Sequence, residues 1–380
     1  MRYPVIIAVV IGQLFSGTGH AQISDGLEDI VLPDGFSIEI FSDAVPNARS
    51  LAKGDNGTVF VATRRDGRVY ALVPQDSGEP SVVTVASGLR MPNGIAFHHG
   101  DLFVAETTRI IRYDEIESQL DNIPEPAVVV DSMPGKSHHG WRYLAFGPDD
   151  RLYVSIGAPC NICDRADDGF ANISRLKSDG TGLEVYASGI RNSLGFTWHP
   201  ESGELWFTDN GRDLLGDNVP ADELNRVTSM GMHFGFPYCH AGDIKDPQFG
   251  DKRSCSEFSP PMLKLGAHVA PLGVKFYTGK MFPEEYRGQL FIAEHGSWNR
   301  SQKTGYRISL VRLENGVPAT YEAFAEGWLQ GEKVSGRPVD MLILDDGSML
   351  VSDSKQGRVY RISYSRPLSE GIAEQKDSPF

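Results

Sequence analysis

Apolar positions in this chain fall in short runs broken by turns that contain Gly, Asp or His, and the runs keep a fixed order. Leu32-Pro-Asp-Gly-Phe-Ser-Ile-Glu-Ile-Phe alternates and predicts a strand with one buried face. A longer unit then recurs. Thr58-Val-Phe-Val-Ala-Thr precedes Gly67-Arg-Val-Tyr-Ala-Leu, and Gly94-Ile-Ala-Phe with Asp101-Leu-Phe-Val-Ala-Glu leads to Ile110-Ile-Arg-Tyr. Leu144-Ala-Phe with Arg151-Leu-Tyr-Val-Ser-Ile comes third, and Leu194-Gly-Phe-Thr-Trp with Glu204-Leu-Trp-Phe-Thr-Asp fourth. Gly273-Val-Lys-Phe-Tyr, Gln289-Leu-Phe-Ile-Ala-Glu and Arg307-Ile-Ser-Leu-Val form the fifth copy. The sixth is Asp340-Met-Leu-Ile-Leu, Ser348-Met-Leu-Val-Ser-Asp and Gly357-Arg-Val-Tyr-Arg-Ile.

With Val59, Leu102, Leu152, Leu205, Leu290 and Leu350 taken as equivalent, successive spacings are 43, 50, 53, 85 and 60 residues. The shorter spacings match the period of a propeller blade, and the longest marks an insertion at about residues 212–272. One blade cannot bury both of its faces; six stacked round an axis can, and they leave only short edges. No long stretch carries apolar residues at helical spacing. The expectation is an all-β, six-bladed β-propeller over residues 22–364, with a pair of β-sandwiches as a distant second and a flexible tail at 365–380.

The N-terminus adds an address. Arg2, an apolar run from Val5 to Phe15, and Gly19 and Ala21 before Gln22 read as a signal peptide over residues 1–21. No other stretch is long and apolar enough to span a bilayer. The mature chain is therefore expected in the periplasm or secreted. Export makes the four cysteines readable as disulfides, and of the three pairings the local one, Cys160–Cys163 with Cys239–Cys255, is preferred. Haem attachment would need His after Cys163, where Asp164 stands. A net charge of −14 argues against nucleic acid as a partner.

Loops at one end of a propeller surround one cavity, so residues far apart in sequence can share a site. The unusual polar groups just before a first strand or just after a second one are Asn93, His138 and His139, Arg191-Asn192, Asn210-Gly211-Arg212, His295 to Arg300, and Arg337. Each has a plain alternative. A histidine before a strand is commonly a solvated turn residue, yet its pKa suits a general base. Arg191 and Arg337 would serve as surface ion pairs or as a clamp for a polyanion. Gly211 fits a turn, or a close backbone approach to a hard cation. Trp298 fits packing, or stacking on a planar ring.

His139 with Arg142 and Gly147, Gly189-Ile-Arg-Asn-Ser-Leu-Gly, Asp209-Asn-Gly-Arg, Asp222-Glu-Leu-Asn and Gly336-Arg-Pro-Val-Asp together resemble the soluble quinoprotein aldose/glucose dehydrogenases that use pyrroloquinoline quinone (PQQ). The loops Ala158-Pro-Cys-Asn-Ile-Cys and His295-Gly-Ser-Trp-Asn-Arg are closer to the sorbosone or pyranose dehydrogenase branch. The resemblance spans about residues 32–364. It implies oxidation of a sugar at C1, with His139 as the general base; His138 is the alternative. It also implies Arg191 and Asn192 at the quinone oxygens, and Arg337 on a PQQ carboxylate. Ca²⁺ would be held by the carbonyls of Gly211 and Arg212, with Glu223 at a second calcium site nearby. Electrons would pass to a separate acceptor, a cytochrome or a quinone. The chain departs from the glucose-oxidising pattern at Pro92, Ala158 and His295, which bears on the choice of sugar. The rival classes are a lactonase-type, metal-dependent hydrolase and a non-catalytic ligand-binding propeller.

Overall fold

Each pair of apolar runs forms the inner half of a four-stranded antiparallel sheet, and six such sheets surround one axis. The computed structural model describes residues 26–76 and 78–366; the expected signal segment, and the expected tail beyond residue 366, lie outside the described residues. Blade 1 is Ala48–Lys53, Val59–Thr63, Val69–Val73 and Ser81–Ala86. Blade 2 is Gly94–His98, Asp101–Ala105, Ile110–Tyr113 and Ala127–Val130, and blade 3 is Leu144–Phe146, Leu152–Ile156, Asn172–Leu176 and Glu184–Ser188. Blade 4 is Phe196–Trp198, Leu205–Asp209, Glu223–Val227 and Leu263–Lys264. Blade 5 is Pro271–Phe276, Leu290–Glu294, Arg307–Glu314 and Val317–Ala325. Among the described residues the helical turns are four short 3₁₀ segments.

The second strands explain why the repeat is visible. Val59–Thr63, Leu152–Ile156, Leu205–Asp209, Leu290–Glu294 and Met349–Asp353 are buried at every position, because a neighbouring blade covers each face. Their sequences are accordingly near-continuous apolar runs. Outermost strands such as Ser81–Ala86 and Val317–Ala325 are partly exposed and carry mixed residues. One apolar cluster fills each junction between neighbouring blades, so the core is a ring of six interfaces.

The ring closes through the chain's start. Phe36–Ser42 becomes the outermost strand of blade 6, pairing with Arg358–Tyr364 from Phe36↔Tyr364 to Ile40↔Tyr360. The inner strands of that blade are Pro338–Ile343 and Met349–Asp353. Phe36 also packs edge-on against Phe282, Tyr286 and Phe324 of the blade 5 region, at centroid distances of 4.8, 5.2 and 5.1 Å. Phe36→Ala is therefore expected to destabilise the ring by about 2–4 kcal/mol, read as a lowered Tm and denaturant midpoint. An unchanged midpoint would mean that this strand does not hold the closure.

The 212–272 stretch divides. Glu223–Val227 and Leu263–Lys264 are blade 4 strands, so the excursion proper runs only from 228 to 262. It carries a small hairpin, Cys239–His240 with Ile244–Lys245, stapled by the Cys239–Cys255 disulfide. Cys160 and Cys163 form the second disulfide, so the local pairing holds. No helix among the described residues is long and apolar enough to cross a membrane.

Candidate active site

First strands begin, and second strands end, at the same face of the ring. Residues placed just before the one or just after the other therefore converge there. They enclose a cleft of about 360 Å³ whose lining includes His138, His139, Arg191, Asn192, Asn210, Gly211, His295, Trp298 and Arg337. Trp298 stands at the rim with 72% of its surface exposed. Arg212 and Glu223 are not in the lining. The Arg212 guanidinium turns to Asp246, which also pairs with His240 at 2.9 Å. Glu223 is buried behind the cleft, accepting from the Ala241 N–H at 2.7 Å and the Asn225 amide at 2.9 Å.

His139 adopts φ 49°, which turns the chain sharply ahead of blade 3. Its Nδ1 lies 2.8 Å from the Ala158 carbonyl oxygen. A carbonyl can only accept, so Nδ1 carries the proton and Nε2 keeps a free lone pair. Nε2 makes no hydrogen bond among the described residues. Burial, and then the nearby Arg191 and His138, hold the His139 pKa well below the ordinary histidine value, which keeps the ring neutral at pH 7. Gly157 underlies it: a Cβ there would come within 2.8 Å of the His139 Cβ. His138 is exposed, with its ring 4.2 Å from that of His139.

Arg191 is held from several sides. It donates from Nε to the Asn161 carbonyl at 2.9 Å, and from Nη2 to Asn161 Oδ1 at 2.8 Å and Asp213 at 2.9 Å. Nη1 donates to the Asn210 carbonyl at 3.0 Å. Asn161 sits between the two cysteines of the 160–163 disulfide. It also accepts from the Asp213 N–H at 2.9 Å and donates to the Asp213 carbonyl at 3.1 Å. The Asp209 carboxylate accepts from the N–H groups of Arg191 and Asn192 at 2.8 and 2.6 Å, fixing the backbone of both. Burial, with Glu223 close by, raises the Asp209 pKa well above the usual carboxylate range.

Gly211 is positioned in the same way. Its N–H donates at 2.7 Å to Asp222, whose other oxygen takes the Ala270 N–H at 2.9 Å. Burial pushes the Asp222 carboxyl up to about 7 despite these bonds. Asp213 and Asp222 thus set carboxylates beside Gly211 in the cleft lining, chemistry that suits a hard cation.

The cleft is strongly cationic, and its lining includes residues that sequence reasoning missed. Five arginines line the cleft, Arg49, Arg64, Arg65, Arg191 and Arg337, against two aspartates, Asp213 and Asp222. On a chain of net charge −14 this is a local inversion of sign, which focuses an anion. Arg49 is held by Asn93, Nε to Oδ1 at 2.7 Å, and burial followed by Arg64 and Arg337 lowers its pKa to about 9. Arg337 donates to the carbonyls of His295 and Gly296 at 3.0 and 2.7 Å. Arg64 lies over the Trp141 ring at 3.5 Å. Arg64 Nε, Trp141 Nε1 and the Asn299 amide are buried with no partner among the described residues. Orphaned donors in a cationic cleft are what a planar polycarboxylate would satisfy. Arg64 and Arg65 directly follow the second strand of blade 1, the placement that singled out the other site residues. Arg49 gave no such signal, because it lies inside an apolar first strand.

Comparison with known proteins agrees with this architecture. The TrAA12-like family model matches residues 30–365. An uncharacterized protein of Borreliella burgdorferi is 33% identical over 351 residues, 88% of this chain and 91% of that one. The pyrroloquinoline quinone-dependent sugar dehydrogenase of Hypocrea jecorina is 24% identical over 65% of this chain and 70% of its own. The calcium structure of a Trichoderma reesei family AA12 carbohydrate-active enzyme superposes with a TM-score of 0.77 at 22% identity, covering 88% of this chain and 97% of that one. This last likeness shows the shared fold.

Proposed function

Since the chain belongs to the TrAA12-like family, we propose that it is a PQQ- and calcium-dependent dehydrogenase that oxidises an aldose or sugar aldehyde at C1. The observation that carries this reading is a neutral, buried His139 with an open Nε2, set in a cleft lined by five arginines. PQQ is a planar tricarboxylate, and the residues present suit it. Arg337 would pair with one carboxylate, and Arg64, Trp141 and Asn299 bring buried donors with no partner among the described residues. Trp298 at the rim offers a stacking face. The Gly211–Arg212 turn, with Asp213 and Asp222 beside Gly211 in the lining, would hold Ca²⁺. The Glu223 carboxylate is spent on Ala241 and Asn225, so a second calcium ion there would have to displace those bonds.

When bound, PQQ supplies the two-electron acceptor for the C1 hydrogen, and Ca²⁺ adds Lewis acidity at the ring. His139 Nε2 takes the proton of the C1 hydroxyl, and the Ala158 carbonyl fixes the tautomer that makes this possible. Arg191, locked by Asn161 and Asp213, presents fixed positive charge where negative charge develops. Asn192, with its N–H pinned to Asp209, lines the same cleft. The electrons would then leave to a separate acceptor, and the sugar class fits an exported enzyme, in the periplasm or outside the cell. A lactonase-type hydrolase would want a ring of carboxylates at a single metal, whereas arginines dominate this cleft.

Purified protein is expected to reduce a redox dye with a panel of aldoses only when both PQQ and Ca²⁺ are supplied, and to lose this activity in chelator. Lactone hydrolysis without PQQ would point to the rival enzyme. Silence in both assays, despite a folded protein, would overturn catalysis altogether.

A further inference from the structure

The face opposite the cleft carries a cluster that sugar oxidation does not use. In blade 2 the first strand starts beside the cleft, after Asn93, and ends at His98. In blade 3 it starts after His139 and ends at Phe146, just ahead of the turn that holds Asp150. The far ends of two adjacent first strands therefore bring His98, His99 and Asp150 together. Their ligand atoms all lie within 4.8 Å of one another. His98 Nε2 is 2.7 Å, and His99 Nε2 3.8 Å, from the same oxygen, Asp150 Oδ1.

The three groups are aimed by structure as well as gathered. The His98 ring is stacked on Phe146 of blade 3, with centroids 3.9 Å apart and planes at 13°. His99 is the first residue of a two-residue hairpin turn, with φ 51° followed by Gly100 at φ 86°. That turn swings its ring back to within 3.9 Å of His98. Asp150, at φ 60°, closes the corresponding turn of blade 3 through its N–H to the Gly147 carbonyl at 3.0 Å. His99 and Asp150 are 79% and 73% exposed at the side chain, so an ion and its waters can reach the group directly.

We propose that His98, His99 and Asp150 form a surface site for a divalent d-block cation, bridging blades 2 and 3 on the face away from the cleft. Two imidazole nitrogens and one carboxylate oxygen are three of the four ligands of a tetrahedral Zn²⁺ site, with water as the fourth. The present spacings need only small side-chain rotations to reach bonds of about 2.0–2.2 Å. Nitrogen-rich ligation favours such an ion over Ca²⁺, which prefers oxygen alone. The site would tie the two blades together at a point remote from the chemistry.

The test is calorimetric titration of the full chain with Zn²⁺ at saturating Ca²⁺, for wild type, His99→Ala and Asp150→Asn. Both substitutions fall on exposed turn residues, which leaves folding and dye-reduction activity intact. One Zn²⁺ per chain is expected, with affinity falling at least about tenfold in each variant. Zn²⁺ should also raise the Tm of wild type more than that of either variant. Zn²⁺ affinity and Tm response equal in all three proteins, or no Zn²⁺ bound by wild type, would overturn the proposal.

Discussion

His139→Ala is expected to lower kcat for sugar-dependent dye reduction by roughly 10²–10⁴, the usual contribution of a positioned general base. PQQ affinity should change little, because the ring makes its protein contact through Nδ1 to Ala158 and no ion pair depends on it. His138→Ala should cost far less, since His138 is exposed while the His139 tautomer is set by a carbonyl. The pH profile carries the same information. Burial, Arg191 and His138 depress the His139 pKa, so the neutral, competent form persists as pH falls through the ordinary histidine range. The acid limb of kcat/KM should therefore lie below about 6.5. A limb above that value, or a His139→Ala protein with wild-type kcat, would show that another group takes the proton.

Asn161→Ala is the second large effect. It removes the Oδ1 that accepts from both Arg191 and the Asp213 N–H, and the amide that donates to the Asp213 carbonyl. Bonds to charged groups contribute about 1.5–3 kcal/mol each, so a loss of ten- to a hundredfold in kcat/KM is expected. The fall should appear mainly in kcat if Arg191 acts on developing charge, with KM nearly unchanged. A merely structural role would instead lower Tm and the active fraction while leaving both constants per active site intact. The Cys160–Cys163 bond brackets this residue, so the disulfide should be confirmed intact in the variant.

The ring was legible where burial is two-sided. Second strands such as Leu205–Asp209 are buried at every position and open with an apolar run, and that made both the repeat and the blade number readable. Outer strands such as Ser81–Ala86 face water on part of their surface, and their mixed residues look like loops. The same asymmetry blurred blade 4, whose short outer strand Leu263–Lys264 was absorbed into the apparent insertion. In the site, His139, Arg191, Asn192, Gly211 and Arg337 share a place relative to the strands, and the fold turns that shared place into proximity. Asn161 and Asp213 also follow second strands, those of blades 3 and 4, but an Asn between two cysteines and an Asp in a polar loop look like ordinary turn residues, and only the fold shows that both reach Arg191. Pro92, Ala158 and His295 are departures in side chain whose backbones or neighbours are in use. The Ala158 carbonyl bonds His139, Asn93 beside Pro92 bonds Arg49, and the His295 carbonyl bonds Arg337.

The two kinetic expectations depend on a planar polycarboxylate seated among the cleft arginines beside His139. Titration of the purified, Ca²⁺-loaded protein with PQQ, followed through the quinone absorption band, tests that seating directly. One PQQ per chain should bind, with a perturbed spectrum, and Arg337→Ala should weaken binding at least about tenfold, the loss of one charge-assisted pair. A quinone spectrum unchanged by the protein, or binding indifferent to Arg337, would contradict it.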